Sequence, residues 1–362
     1  PAYADNYVVP AEHTEDGVSR VVNLSWPEQA YTAETRFIVA TVKSVGGDLK
    51  VKKLDLNSGV GYDYQGNLLA QFDLVDRATV QLRAISGIPD RCAGIPTSTC
   101  VNYRSGASDE KEHNFVYVPI TDSKGRIWLN NNLGAAYTDV DNPTYFNPNH
   151  QAGAYDRRGN LTQNPDSYDL DRDWRAYGSL FQWGRKPDGH ELIKWSSHTQ
   201  ASPKYQGAGS LANSPVEGAG TNKFIPANDS HGTWVIKENA LYSFFGRWYN
   251  DSERSNNPCP VGFVLPSYEQ FENYSDIILP RLTKDRLSNG QIPNQWNSYT
   301  GYWTRNICGY PTTYYYDSDG EIHYVCRDTA TGGVTSVHVR ATKGPSAIAA
   351  GAPVRCIKIN SN

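Results

Sequence analysis

Four aspartates crowd into eight positions, Asp166, Asp169, Asp171 and Asp173. Carboxylates at this density suit a hard, oxygen-preferring cation such as calcium. The spacing is not that of an EF-hand. Counting from Asp169, Trp174 holds the sixth place, where the loop needs glycine, and Leu180 holds the twelfth, where glutamate belongs. Asp166, Asp169 and Asp171 are therefore candidate calcium ligands, weighed against a solvated loop in which Asp173 caps a following helix. A second concentration runs from Asn297 to Tyr324 and carries aromatic and amide side chains. Tyr299, Tyr302, Trp303, Arg305, Asn306, Tyr310, Tyr314, Tyr316 and Tyr324 are its candidate ligand-binding residues. Tyrosine mixed with Asn and Ser gives rigid amphipathic area and hydrogen bonds at small entropy cost. Sugar rings suit such a face, since their C–H patches can lie on aromatic rings. About half of these tyrosines are expected to pack inward across two strands.

Signals for covalent chemistry are poor. The chain has no G-x-S-x-G, HExxH or Walker A motif. Gly207-Ala208-Gly209 and Gly218-Ala219-Gly220 lack the third glycine and the flanking strand and helix of a dinucleotide fingerprint. The eight His are scattered, and their spacing suggests no nucleophile–base pair. The six Cys form no C-x-x-C and none lies near a His at zinc-finger spacing. Cystines are the preferred reading, over buried free thiols, and they imply an oxidising, extracytoplasmic compartment. Six Cys allow fifteen pairings. The expected set joins Cys92 with Cys100, Cys308 with Cys326, and Cys259 with Cys356. An enzyme and an organic cofactor are not expected, and calcium is the one candidate ion.

The 362 residues point to two domains, and 31 Gly with 21 Pro make the chain too turn-rich for a helix bundle. A net charge of -4 without a basic run sets aside a nucleic-acid groove or an anionic membrane surface. No apolar stretch is long enough to span a bilayer. The chain starts at Pro1 and contains no Met, which reads as a processed product of a longer precursor.

Residues 1–112 read as short strands: Ser19 to Leu24, Thr35 to Val42, Leu49 to Leu56, Leu68 to Val75 and Thr79 to Ala84. Their spacing predicts an immunoglobulin-like β-sandwich. The polar stretch Tyr103 to His113 then marks the boundary. Residues 113–362 hold eight of the nine Trp and long Gly/Asn/Pro/Ser segments, which predicts irregular loops held by aromatic side chains. One helix is expected from Asp173 through Trp174 towards Trp183. A second begins at Ser267 with Gln270 completing a capping box and Pro280 as its stop, and a third helical turn spans Glu238 to Trp248.

Five segments in order sharpen the reading: Gly125-Arg126-Ile127-Trp128-Leu129-Asn130-Asn131-Asn132-Leu133, Tyr177-Gly178-Ser179-Leu180-Phe181-Gln182-Trp183-Gly184, Asn257-Pro258-Cys259-Pro260-Val261-Gly262-Phe263-Val264-Leu265-Pro266, Gly301-Tyr302-Trp303-Thr304 and Val354-Arg355-Cys356. Together they resemble the Fibrobacter succinogenes major paralogous domain. That resemblance implies a divergent C-type-lectin-like fold, akin to the formylglycine-generating group, on secreted and surface proteins of Bacteroidetes. Many members follow a fimbrillin-type or immunoglobulin-like domain. This chain departs from the pattern in long inserts at 139–170 and 196–235, and in Phe263, where the family commonly has Trp. The residues themselves read as scaffold: Pro258, Cys259 and Pro260 fix a turn, and Trp128, Trp183 and Trp303 are mainly core plugs.

The expected class is therefore mainly β with α+β, an N-terminal immunoglobulin-like β-sandwich followed by a C-type-lectin-like domain with long loops and two or three short helices. The expected function is a non-enzymatic, extracellular, cell-surface or fimbria-associated adhesin that recognises a glycan or a host or bacterial surface protein. One competitor is a structural fimbrial subunit that pairs with other subunits. The other is an enzyme on a formylglycine-generating-like scaffold.

Overall fold

The computed structural model describes residues 3–28, 30, 32, 34–35, 39–47, 49–50, 62–71, 77–101, 110–142, 144–213, 218–227, 234–236, 256–267, 270, 280, 286–287, 289–292, 302–303, 314–316, 322–324 and 349–359. The chain is mainly β with a few short helices, and it separates into two compact units, Pro1–Gly87 and Ile88–Asn362.

The first unit contains β1 (Tyr3–Val9), β2 (Arg20–Trp26), β3 (Thr41–Val45), β4 (Tyr62–Gln71) and β5 (Arg77–Ser86). β1, β2 and β3 form one antiparallel sheet in that order, and β4 pairs with β5 in a second. Along β2 the buried residues recur every second place, Val22, Leu24 and Trp26, as a strand with one covered face requires. Trp26 stacks on Tyr3 of the neighbouring strand with ring centroids 4.5 Å apart. β1 was not foreseen, because Tyr3-Ala4-Asp5-Asn6-Tyr7 is too polar to announce a strand. The expected strand at Leu49 to Leu56 lies mostly outside the described residues.

The second unit begins earlier than the polar stretch suggested. β6 (Ile88–Pro89) pairs with β7 (Val116–Tyr117), and Arg91 Nε donates to the Cys259 carbonyl at 2.8 Å. The 88–112 segment therefore belongs with the C-terminal unit, and the division falls after Gly87 rather than after residue 112. Local order inside it is held by α1 (Thr97–Cys100) and the Cys92–Cys100 disulfide.

At the centre of the second unit stands a four-stranded antiparallel sheet. It is built from β8 (Pro119–Thr121), β9 (Ile127–Leu129), β13 (Phe263–Val264) and β17 (Ile357–Lys358), in the order β13-β17-β9-β8. Around it are β10 (Phe181–Gln182) paired with β16 (Gly351–Ala352), β11 (Ile193–Trp195) paired with β12 (Ala201–Pro203), and β14 (Tyr314–Tyr316) paired with β15 (Ile322–Tyr324). Trp128, Val264, Tyr302 and Ile357 form a buried cluster on the central sheet, with Ile120 and Ile359 against it.

The five ordered sequence segments meet in this core. Leu129 N–H donates to the Cys356 carbonyl, Leu133 N–H to Val354 and Ser179 N–H to Leu133, at 3.0, 3.0 and 2.8 Å. Trp303 N–H reaches Pro353, and its indole Nε1 reaches Phe181. The Cys259–Cys356 disulfide fastens the turn before β13 to the strand after Val354. Cys308 and Cys326 lie outside the described residues.

Among the described residues the helices are short, as expected, but one of them is placed differently. α2 (Ser167–Arg172) is capped by Asp166, and the expected helix from Trp174 to Trp183 is only a 3-10 turn, Trp174–Ala176. Gly178 with φ of +78° stops it, and β10 follows at once. Asp173 does not cap with its side chain. It is turned inward to accept from Tyr137 Oη at 2.5 Å and Gly153 N–H at 3.1 Å. The Ser267–Gln270 capping box is present, with Gln270 N–H on Ser267 Oγ at 3.2 Å and Ser267 N–H on Gln270 Oε1 at 2.9 Å. The rest of that helix up to Pro280, and the turn at 238–248, lie outside the described residues.

Candidate functional site

Among the described residues, a buried chain of titratable groups runs through Asp188-Gly189-His190-Glu191. His113 Nε2 lies 2.7 Å from Glu191 Oε1, and its Nδ1 is 3.2 Å from Thr97 Oγ1. The other Glu191 oxygen accepts from Gly189 N–H at 3.1 Å and lies 3.1 Å from His190 Nδ1. His190 Nδ1 also meets Asp188 Oδ1 at 2.7 Å, and Asp188 Oδ2 accepts from Arg185 Nε at 2.8 Å. Arg185 Nη1 donates onward to Gln182 Oε1, and Gln182 Nε2 to the carbonyls of Ile225 and Ala349.

Burial would raise the Glu191 carboxyl, but hydrogen bonds from His113 and His190 hold it well below the ordinary range. Burial would lower His113, but the hydrogen bond and charge of Glu191, with Asp90 and Glu112, raise it. Asp188 is likewise held low against its burial, by Arg185 and His190. These residues are nearly inaccessible, with His113 2%, His190 1% and Glu191 0% exposed.

Asp188, His190 and Glu191 have the residue types and proximity of a metal site. Their hydrogen bonds argue otherwise. Gln182 N–H donates to His190 Nε2 at 2.9 Å, so the imidazole proton sits on Nδ1, where it faces both carboxylates. A cation there would have to displace that proton and break bonds that satisfy every member of the chain. The chain is internal scaffold. The scattered His had hidden it, since His113 and Glu191 are 78 positions apart. The close Asp-x-His-Glu run was the one local signal.

An accessible candidate lies beside it. A groove of about 380 Å³ is walled by Gln206-Gly207-Ala208, Phe224, Arg286 and the turn Asn289-Gly290-Gln291. The turn is drawn tight by Gly290 N–H on the Leu287 carbonyl at 2.7 Å and Leu287 N–H on Gln291 at 2.8 Å. Gly290, at φ +85°, brings it against the Phe224 ring, which a Cβ would meet at 3.4 Å. Arg286 is pinned to Gly351 by backbone bonds of 2.8 and 2.7 Å, and its guanidinium lies 4.0 Å over Phe224.

The sequence-derived candidates fall in several places. Tyr302 and Trp303 are each 3% exposed and serve the core, so they leave the ligand surface. Tyr302 Oη accepts from Asn132 Nδ2 at 3.2 Å and donates to the Pro280 carbonyl at 3.0 Å. Tyr314, Tyr316 and Tyr324 lie in the β14–β15 ribbon, with Tyr314 opposite Tyr324 and Tyr316 opposite Ile322. Tyr299, Arg305, Asn306 and Tyr310 lie outside the described residues.

Asp166 and Asp169 form a reciprocal capping box rather than an open ligand set. Asp166 Oδ1 accepts from Asp169 N–H at 2.8 Å, Asp169 Oδ2 from Asp166 N–H at 3.3 Å and Asp169 Oδ1 from Arg157 N–H at 3.0 Å. Asp171 contributes its carbonyl to Tyr177 Oη at 2.6 Å. The aspartate run thus organises a helix terminus. Compared with family models, curated proteins and solved structures, the chain finds no match.

Proposed function

We propose that this chain is a non-enzymatic recognition protein of the cell exterior, an adhesin whose C-terminal unit binds a glycan or a glycan-bearing surface protein. The observation that carries the reading is the groove lined by Phe224, Arg286 and the turn Asn289-Gly290-Gln291. Its described walls offer amides from Gln206, Asn289 and Gln291, an aromatic ring and a guanidinium, with no thiol, hydroxyl, imidazole or carboxylate side chain among them. Such a lining can orient hydroxyls and cover an apolar sugar face, whereas nucleophilic or general acid–base catalysis requires groups it does not hold.

The buried His113–Glu191–His190–Asp188 chain supports the same reading, because its members are occupied with one another and shielded from solvent. The two disulfides among the described residues support an oxidising location, and no helix among those residues is long and apolar enough to cross a membrane. The tyrosine ribbon β14–β15 is proposed as a second contact for a larger ligand. The test is a broad glycan array probed with the full chain. Selective binding that is weakened by Asn289→Ala and Gln291→Ala supports the reading. A blank array, or binding indifferent to both changes, overturns the assignment of the groove.

A further inference from the structure

We infer that the groove is selective for an acidic sugar and that Arg286 receives its carboxylate; this rests on the reading of the groove as a binding site. Three arginines of the second unit make the case by contrast. Arg126 is 4% exposed and faces Asp122 at 2.7 Å, and Arg185 is 1% exposed and faces Asp188 at 2.8 Å. Arg286 is buried as deeply, at 3%, yet no carboxylate pairs with it among the described residues. Its Nε donates to the Gly290 carbonyl at 2.9 Å and its Nη1 to the His190 carbonyl at 3.4 Å, and Nη2 has no acceptor among the described residues.

A buried guanidinium without a counter-charge is costly, and an arriving anion relieves that cost. Burial and the neighbouring Arg185 lower Arg286 to about 10, so it remains a cation at neutral pH. A second positive group stands next to the wall residue Gly207, outside the groove's own lining. The exposed Lys223 places Nζ 3.7 Å from where a Gly207 Cβ would stand.

The remaining features select the ligand class. Phe224 packs against the guanidinium and two carbonyls hold Nε and Nη1, so Arg286 offers Nη2 from a fixed position for one charge-assisted hydrogen bond to a carboxylate. The amides of Asn289 and Gln291 are exposed on the adjoining turn and match hydroxyl groups. The cavity of about 380 Å³ accommodates a sugar unit or two rather than an extended polyanion. A hexuronic or sialic acid satisfies all of these features, the carboxylate at Arg286 and the ring hydroxyls at the amides.

The experiment titrates the full chain with oligosaccharide pairs that differ only at the acidic position, hexuronate against neutral hexose, with a sulfated member as a third arm. The expected result is a preference of roughly tenfold for the carboxylate, the scale of one charge-assisted hydrogen bond. That preference should shrink with added salt. Arg286→Gln should abolish the preference while neutral-sugar affinity persists. Lys223→Glu, at an exposed position, should reduce it by about threefold, and it keeps the test decisive if the Arg286 variant fails to fold. Equal binding of neutral and acidic partners, unchanged by either substitution, overturns the inference and leaves the groove as a sugar site. Preference for the sulfated member alone overturns the carboxylate assignment. No binding by any member removes the groove reading and the inference together.

Discussion

Arg355 reaches Asn132 across 223 positions of sequence, its Nε donating to Oδ1 at 3.0 Å, while its Nη1 donates to the Leu129 carbonyl at 3.0 Å. Asn132 passes the connection on through Nδ2 to the Tyr177 carbonyl and to Tyr302 Oη. One guanidinium and one amide thus join four of the ordered segments. Both side chains are inside the core, at 1% and 0% exposure, so neither can exchange a lost partner for water.

Arg355→Met should therefore lower stability by about 3 kcal/mol, since it leaves the Asn132 and Leu129 oxygens buried and unmet. Urea unfolding of the full chain checks this, with the loss confined to the transition of the second unit. A change below about 0.5 kcal/mol, the range of ordinary surface substitutions, would contradict the role assigned to it.

The His113–Glu191 pair predicts a pH profile. His113 is raised above its ordinary 6.5 and Glu191 held below its ordinary 4.5. The raised His113 stabilises fully below pH 6.5 and loses that contribution as pH rises through its folded value. The depressed Glu191 stabilises fully above pH 4.5 and loses its contribution as pH falls through its folded value. The pair's combined contribution is then greatest between pH 4.5 and 6.5. His113→Gln should remove the alkaline decline, which denaturation midpoints across the alkaline range would reveal. A wild-type midpoint that does not fall above pH 6.5 would contradict it.

Reduction should act unequally on the two described disulfides. Cys259–Cys356 spans a separation of 97 residues and Cys92–Cys100 only 8. In the loop-entropy account the long closure stabilises by about 4.7 kcal/mol for a loop of about 100 residues. Replacing Cys259 and Cys356 together by Ser should lower the melting temperature far more than the same change at Cys92 and Cys100. Equal shifts would place the stabilisation elsewhere.

Much of this scaffold could be read from the chain alone. The Pro258-Cys259-Pro260 turn and the Val354-Arg355-Cys356 segment needed only local residue types and their order, whereas the Cys259–Cys356 pairing was one choice among fifteen that the structure bears out. The Ser267–Gln270 box was equally legible, because capping is decided within one helical turn. The groove was not, since Phe224 and Arg286 meet through tertiary packing and neither lies in a periodic segment. The role of the aspartate run was not legible either, for a related reason. Spacing shows where carboxylates concentrate, but backbone N–H groups at a helix start claimed Asp166 and Asp169. Tyr302 and Trp303 were offered as ligand contacts because composition cannot tell an aromatic surface from an aromatic core.

If Asp166 and Asp169 act as caps, their removal has a modest and metal-independent cost. Asp166→Ala should destabilise by about 1 kcal/mol, the ordinary value of a lost N-cap. Melting curves with calcium and with chelator should coincide for both the parent chain and the variant. A calcium-dependent rise in the parent that Asp166→Ala abolishes would restore the aspartates as ligands.

Gly178 offers the sharpest test of how the segments approach one another. It sits at φ +78°, and a Cβ there would collide with the Leu133 carbonyl oxygen, which accepts Ser179 N–H at 2.8 Å. Any side chain must therefore push apart the two strands of chain that carry Asn132 and Tyr177. Gly178→Ala combines the unfavourable backbone conformation with that displacement and should cost about 2 kcal/mol or more. Gly159 is the control, with φ +82° but open space around it, so Gly159→Ala carries the conformational part alone. A cost at Gly178 that equals the cost at Gly159 would show that the close approach of Leu133 contributes nothing.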